Sequence, residues 1–406
     1  MKKIFTIIAS CFCISTLAQN PIDTSGGRYW QELFPNVTID GAVNYGSNTD
    51  VNGTLQTLRL DVYEPAGDTV QYRPLIVLAH GGSFIGGTKT DQDVVDLCTR
   101  FAKMGYVCAS INYRLGLGFP IDSIHAGQAV IRAVQDMKAA VRFFRKNVTI
   151  GNTYKIHPDY IFAGGSSAGA FMGLHLAYMD SVDVPAYLNI ASLGGIEGAS
   201  GNPGYASNVL GVVNLCGALG DSAWMQPGDI AFVSMHGNVD QTVPYGSTTI
   251  YILGIPLLVI DGSASLHIRA NNIGVNNPFH TWWGADHVPY LGTSATQIAY
   301  MDSTVDFVKA FLRPYFGLPL NVNENHPENF ATIYPNPVSE QFTLQINTSK
   351  FSKQEVSLVD ATGRTIDHFT MTNPVQRFDV SKFAKGIYAV RLTIDQKTVF
   401  KKLIVD

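Results

Sequence analysis

The chain reads as an α/β protein with a doubly wound, mostly parallel sheet, followed by a small all-β sandwich. Three observations predict this. Short, continuous aliphatic runs alternate with stretches of helical periodicity across the first three quarters of the sequence. That alternation implies a parallel sheet covered on both faces. A polar, Pro- and Asn-containing segment then changes the pattern, and only strand-like runs separated by turns follow it.

The elements follow in order. Residues 55–63 alternate as a strand and stop at Glu64-Pro65, and 75–79 form an aliphatic run suited to a buried parallel strand. Residues 91–104 have helical spacing, ended by Gly105, and 106–112 form another short buried strand. Residues 126–147 carry apolar side chains at three- and four-residue intervals, as an amphipathic helix does. A strand at 160–163 leads into a helix at 168–179. Strands at 209–215, 230–236 and 279–283 follow, and a closing helix at 303–311. Beyond the linker, strands are expected at 342–346, 355–359, 376–380, 387–394 and 399–405, with a turn at Asp360-Ala361-Thr362-Gly363.

Composition bounds the function. With 46% hydrophobic and 15% charged residues, the chain has ample material for a large core. A formal charge of −4 leaves no broad basic face, so nucleic acid is not an expected partner. Lys2 and Lys3 precede an apolar run from Ile4 to Leu17, with Thr16 and Ala18 as small residues at a cleavage site. This is the pattern of a secretory signal peptide, residues 1–19. A membrane anchor and a lipoprotein modified at Cys11 are the alternatives, but a span needs roughly 20 apolar residues. The expected organisation is a signal peptide at 1–19, a catalytic domain at 20–317, a linker at 318–330 and a β-sandwich at 331–406. The cysteines outside the signal are Cys98, Cys108 and Cys216, too few for a disulfide framework. They read as buried thiols, with a Cys98–Cys108 bridge as the alternative. No metal-ligand spacing is present, and no cofactor is expected.

The strongest chemical signal is Gly165-Ser166-Ser167-Ala168-Gly169, placed between a strand and a helix. In that context a G-x-S-x-G motif forces its central serine into a strained turn and exposes the hydroxyl at a helix N-terminus. A serine needs a base to take its proton and a carboxylate to orient that base. Asp240 follows the strand at 230–236, and His287 follows the strand at 279–283. Both fall past the C-terminal ends of parallel strands, where such sheets collect ligands. The predicted catalytic residues are therefore Ser167, Asp240 and His287, with Asp221 as the rival acid. Asp286 reads as a solvated loop carboxylate, His236 as a brace for the acid turn, and His267 and His280 as residues of regular structure. Trp282 and Trp283 read as core and strand-face residues. His80-Gly81-Gly82-Ser83-Phe84 follows the strand at 75–79, and its glycines would let backbone N–H groups approach an acyl group. The predicted oxyanion donors are the N–H groups of Gly82, Ser83 and Ala168. The apolar stretch 248–261 reads either as a pocket wall or as core packing, and the Gly-rich stretch 193–204 has no evident place.

Taken together, these motifs resemble the α/β-hydrolase superfamily, and within it the carboxylesterases and lipases with an HGG-type oxyanion loop. His80–Phe84, Ile111-Asn112-Tyr113-Arg114-Leu115-Gly116, Gln135-Asp136 and Gly165–Gly169 carry the likeness, which spans most of 59–169. The second half departs from type-B carboxylesterases. Its stretch 236–244, with Asp240, looks more like esterases and prolyl-oligopeptidase-type enzymes, and large cap insertions are absent. The resemblance implies a secreted serine hydrolase acting on a carboxylic ester, small or polymer-linked. A serine peptidase of prolyl-oligopeptidase type and a non-catalytic surface-binding protein are the alternatives. Residues 331–406 resemble a type IX secretion sorting domain through Tyr334-Pro335-Asn336-Pro337, the stretch 356–366, Lys385-Gly386-Ile387-Tyr388 and Lys401-Lys402-Leu403-Ile404-Val405. That likeness implies the secretion machinery as a partner, and passage through the periplasm to the surface of a Gram-negative cell.

Overall fold

The computed structural model describes residues 22–317, 331–346, 351, 353–360, 364–394 and 397–405. The expected signal peptide, the linker and most of the Asp360–Gly363 turn lie outside the described residues. The chain divides into two compact units, Met1–Leu318 and Pro319–Asp406.

The first unit is built on β1 (Val37–Thr49), β2 (Leu55–Pro65), β3 (Arg73–Ala79), β4 (Val107–Ile111), β5 (Ile156–Ser166), β6 (Gly211–Leu215), β7 (Ala218–Leu219), β8 (Ala231–Gly237), β9 (Ser247–Ile252), β10 (Ile255–Gly262) and β11 (Phe279–Trp282). Its helices are α1 (Gln92–Lys103), α2 (Ser123–Thr149), α3 (Ala168–Tyr178), α4 (Ser263–Ile273) and α5 (Ala295–Leu312). Eight strands form one sheet in the order β1-β2-β4-β3-β5-β6-β8-β11. β1–β2 and β2–β4 are antiparallel, and the pairs from β4 through β11 are parallel.

The two-residue period of β3 shows how the sheet is double-sided. Leu75, Val77 and Ala79 enter the core that α2 and α3 cover, whereas Ile76 and Leu78 enter the core of α1 and α5. All seven residues of β3 are buried, which is why the strand reads as a continuous apolar run rather than an alternating one. Cys98, Cys108 and Cys216 are buried free thiols, so the bridge considered from sequence does not form.

The mostly parallel sheet agrees with the sequence expectation; several boundaries do not. The closing helix begins at Ala295, eight residues before the expected start at 303. Ser294 and Gln297 form a capping box there, an S-x-x-Q signal that apolar spacing alone does not reveal. β1 starts at Val37 and carries two register shifts, which blur its alternation. The stretch 248–261 folds as the β9–β10 hairpin, which pairs with β7 in a separate three-stranded sheet.

The second unit contains β12 (Ala331–Tyr334), β13 (Gln341–Ile346), β14 (Gln354–Val359), β15 (Thr365–Met371), β16 (Val375–Asp379), β17 (Gly386–Ile394) and β18 (Lys397–Val405). They form two antiparallel sheets, β12-β13-β16 and β15-β14-β17-β18. Phe342, Leu344, Val356, Leu358, Val390 and Leu403 fill the core of this unit. β12 and β15 were not expected; β15 carries Asp367 and His368 in its middle, which weakens a strand pattern. Among the described residues, no helix is long and apolar enough to cross a membrane.

Candidate active site

Because β3, β5, β6, β8 and β11 run parallel, their C-terminal ends lie along one edge of the sheet. The segments leaving that edge are Gly81–Ser83 after β3, Ser167 after β5, Asp240 after β8 and His287 after β11. Four stretches far apart in the chain are thus delivered to one rim.

Ser167 sits at the N-terminus of α3 with φ 54° and ψ −116°. This is the left-handed region that non-glycine residues rarely adopt, and it turns the side chain away from both strand and helix. The Ser167 N–H donates to the Leu215 carbonyl at 2.8 Å and fixes the turn against β6. The motif glycines are explained by close approach. A Cβ on Gly165 would lie 2.1 Å from the Ala79 carbonyl oxygen, and a Cβ on Gly81 would lie 3.2 Å from the Ser167 Cβ. β3 and β5 can therefore meet behind the serine only without side chains at these positions.

His287 Nε2 lies 2.9 Å from Ser167 Oγ, and His287 Nδ1 lies 2.6 Å from Asp240 Oδ2. The carboxylate can only accept, so Nδ1 carries the proton and the lone pair of Nε2 faces the serine hydroxyl. The Asp240 side chain is fully buried, whereas that of His287 remains 17% exposed. Burial alone would raise the Asp240 pKa. Hydrogen bonds from His236 and His287, with the N–H of Val243, outweigh it and hold the carboxyl well below its ordinary value. The N–H groups of Thr242 and Val243 each donate to Oδ1 at 2.8 Å.

His236 is a second imidazole on the same carboxylate. Its Nε2 lies 3.1 Å from Asp240 Oδ2 and 3.2 Å from the Val243 carbonyl. Two acceptors on one nitrogen require that nitrogen to carry the proton. Nδ1 consequently accepts from the Ser263 hydroxyl at 2.8 Å, and Asn214 Nδ2 donates to Ser263 Oγ at 3.0 Å. Nothing in the spacing of Asn214 and Ser263 announces this buried network.

The rival acid Asp221 lines the cavity beside Ser167 but is not the partner of His287: it is exposed, and its carboxylate accepts from the Ala223 N–H as a cap. Asp286 is more than a solvated carboxylate. Its Oδ1 accepts from the N–H groups of Gln241 and His287, at 2.8 and 2.7 Å, and so clamps the acid turn to the histidine turn. His280 lies on β11 and His267 on α4. Trp282 is buried, whereas Trp283 is 77% exposed. Cys216 lies close to Asp240 and His287, but burial pushes its thiol up to about 12, so it stays protonated.

On the β3 side, Gly82 has φ 107°, Ser83 φ 53° and Phe84 φ 62°. A Cβ on Gly82 would lie 2.2 Å from the Gly86 carbonyl oxygen, so this tight loop admits only glycine there. Tyr113 anchors the loop from below: its hydroxyl donates to the carbonyls of His80 and Gly81, each at 3.1 Å. Among the described residues, the N–H groups of Gly82, Ser83 and Ala168 have no acceptor.

Ser83, Ser167 and Ala168 open onto a cavity of about 350 Å³. Its walls are largely apolar and include Phe84 and Phe171, Leu188, and Ile250 and Leu258 of the hairpin. The stretch 248–261 is therefore a pocket wall. The Gly-rich stretch 193–204 instead packs on α2. There Gln135 Nε2 donates to the Leu193 and Gly195 carbonyls, and Lys138 pairs with Glu197 at 2.6 Å.

Fold and rim together define an α/β-hydrolase. Residues 60–195 match the family described as BD-FAE, and residues 332–406 match the secretion system C-terminal sorting domain. The chain thus carries a carboxylesterase region similar to the BD-FAE family and a C-terminal sorting region for type IX secretion to the cell surface. Among solved structures, it is similar to a thermophilic esterase from Thermogutta terrifontis, Est2, in its propionate-bound form. There the identity is 19%, the TM-score 0.50, and coverage 69% of this chain and 96% of that one. The same esterase phosphorylated by paraoxon gives 19% identity and TM-score 0.50, covering 70% and 96%. Its butyrate-bound form gives 18% and 0.50, covering 70% and 97%. At this identity the likeness speaks for the fold. No curated protein matches the chain significantly.

Proposed function

We propose that the protein hydrolyses carboxylic esters through a covalent acyl-serine intermediate, with Ser167 as nucleophile, His287 as base and Asp240 as the orienting acid. One observation carries the reading: an unbroken hydrogen-bonded chain from Ser167 Oγ through both ring nitrogens of His287 to Asp240 opens on an apolar cavity.

In the first step Ser167 Oγ bonds to the ester carbonyl carbon while its proton passes to His287 Nε2. The negative charge that develops on the carbonyl oxygen is met by the N–H groups of Gly82, Ser83 and Ala168 and by the positive end of α3. The C–O bond to the alcohol then breaks, and the leaving oxygen takes the proton from His287. Water repeats the sequence: His287 removes its proton, its oxygen bonds to the acyl carbon, and Ser167 leaves with the proton restored. Asp240 stays ionised throughout and stabilises the imidazolium. Residues 20–317 carry this chemistry, and residues 331–406 serve delivery after the signal peptide at 1–19 is removed.

The test is turnover of p-nitrophenyl esters by the wild type and by Ser167→Ala, together with labelling by a fluorophosphonate. Thermogutta terrifontis esterase 2 is described as phosphorylated by paraoxon, which motivates an organophosphorus probe. Ser167→Ala should lower kcat by about 10⁴–10⁶ and abolish labelling. Retained turnover in the purified variant would refute the assignment.

A further inference from the structure

His175 takes no part in the steps above, yet it lines the same cavity as Ser83 and Ser167. It is 5% exposed, lies nearly parallel to the Phe171 ring at 6.0 Å, and meets the Trp224 ring edge-on at 5.6 Å. These contacts hold the imidazole in one orientation. Its Nδ1 lies 2.8 Å from the Phe171 carbonyl oxygen. A carbonyl can only accept, so Nδ1 carries the hydrogen. Burial pushes the pKa of the ring down to about 4, so at neutral pH it is uncharged. Nε2 is then a lone-pair acceptor that accepts no hydrogen bond among the described residues.

Two carboxylates at the cavity already accept backbone hydrogen bonds. Asp183 accepts from the Asp180 N–H, and Asp221 from the Ala223 N–H. A fixed, neutral acceptor in a largely apolar wall favours a ligand that brings a donor to it, because an unpaired buried polar group is unfavourable.

We propose that His175 is a specificity-determining residue that accepts a hydrogen bond from a hydroxyl at the far end of the ester's apolar group. The proposal rests on Ser167 being the nucleophile. Position along α3 sets the length. Ser167 stands just before α3, residues 171 and 175 follow at four-residue steps along it, and eight residues advance about 12 Å. Helical side chains lean toward the N-terminus, which shortens the gap to roughly 10 Å. An extended chain gains about 1.2 Å per bond, so about eight bonds separate the reacting carbon or oxygen from the hydroxyl. Phe171 lies between the two positions, with Ile250 and Leu258 among the other cavity walls, so the intervening segment must be apolar.

The experiment compares three esters in each of two series. Methyl octanoate, methyl 8-hydroxyoctanoate and methyl 8-methoxyoctanoate place the variable group on the acyl side. Heptyl, 7-hydroxyheptyl and 7-methoxyheptyl acetate place it on the alcohol side. In one series the wild type should favour the hydroxyl ester over both others by about tenfold in kcat/KM. The ether separates donation from mere polarity, because it can only accept. In His175→Leu the advantage of the hydroxyl ester should be lost, so that the three members converge. His175→Gln, which restores an acceptor oxygen, should recover part of the preference. Equal turnover of hydroxyl and unsubstituted esters by the wild type in both series overturns the proposal. So does an equal loss on all three esters in a folded His175→Leu protein. If that variant does not fold, the wild-type comparison of hydroxyl with methoxy ester decides alone. Turnover that survives Ser167→Ala would instead overturn the nucleophile assignment.

Discussion

Gly169 and Ala79 approach so closely that a Cβ on the glycine would lie 1.9 Å from the alanine carbonyl oxygen. The first turn of α3 is thereby pressed against the end of β3, which sets the serine beside the Gly81–Ser83 loop. Gly169 is helical, so the restriction there is steric rather than conformational. Gly169→Ala should displace α3 at the cost of about 1–3 kcal/mol or more, lowering Tm by at least about 3 °C. Turnover should fall with it. An unchanged Tm and full activity would show that the backbones are not in contact.

Asp240 holds His287 in the tautomer that leaves Nε2 unprotonated toward Ser167. Asp240→Asn presents an amide that can donate to Nδ1 and so stabilises the opposite tautomer. The expected result is a fall in kcat of about 10³–10⁴ with fluorophosphonate labelling slowed in parallel. Near-normal labelling would assign the acid role to another residue.

The same carboxyl gives a pH dependence of stability. Its pKa in the folded chain is lowered, so in acid the unfolded chain takes up this proton first. The stabilisation is complete above about pH 4, the ordinary range of the group, and is lost as pH falls through the folded value. Melting curves of the wild type and Asp240→Asn should differ by a constant amount near neutrality. The gap should narrow below about pH 4. A gap that widens in acid would contradict the sign.

Arg114 and Asp136 make a buried pair whose side chains are 3% and 0% exposed, at 2.8 Å. Asp136 also accepts from the Arg114 N–H and the Ser200 hydroxyl, and Arg114 donates to the Thr49 and Arg132 carbonyls. The motif therefore ties β1, the segment after β4, α2 and the Gly-rich stretch together and does not face the cavity. Arg114→Met leaves a buried carboxylate without its partner and should destabilise by about 3–5 kcal/mol. Turnover by the fraction that remains folded should be unchanged. Arg114→Met combined with Asp136→Leu should recover part of the loss; a double variant worse than the single would refute the pairing argument.

Much of the hydrolase unit is legible in local pattern. Fully buried parallel strands must be apolar on both sides, so β3, β4 and β6 declare themselves as runs. The strained serine turn must be flanked by glycines, so its position is written in five residues. The order Ser167, Asp240, His287 follows from each standing just past a strand end. Other features depend on contacts between distant segments and leave no local trace. The sequence reading favours Asp240 and keeps Asp221 as the rival, because the two carboxylates have similar settings in the chain; which loop reaches the histidine is visible only in space. The clamp made by Asp286, the relay from Asn214 through Ser263 to His236, and the role of 248–261 as a cavity wall arise only when separate segments meet. His175 looks like one more residue of an apolar helix until its neighbours in space are known. Periodicity and turn chemistry are set by neighbours in sequence, so the amino acids alone determined the sheet, the serine turn and the β-rich second unit. Hydrogen-bond partners and cavity walls are set by neighbours in space, so the tertiary structure alone decided which acid is engaged and what the pocket presents to a ligand.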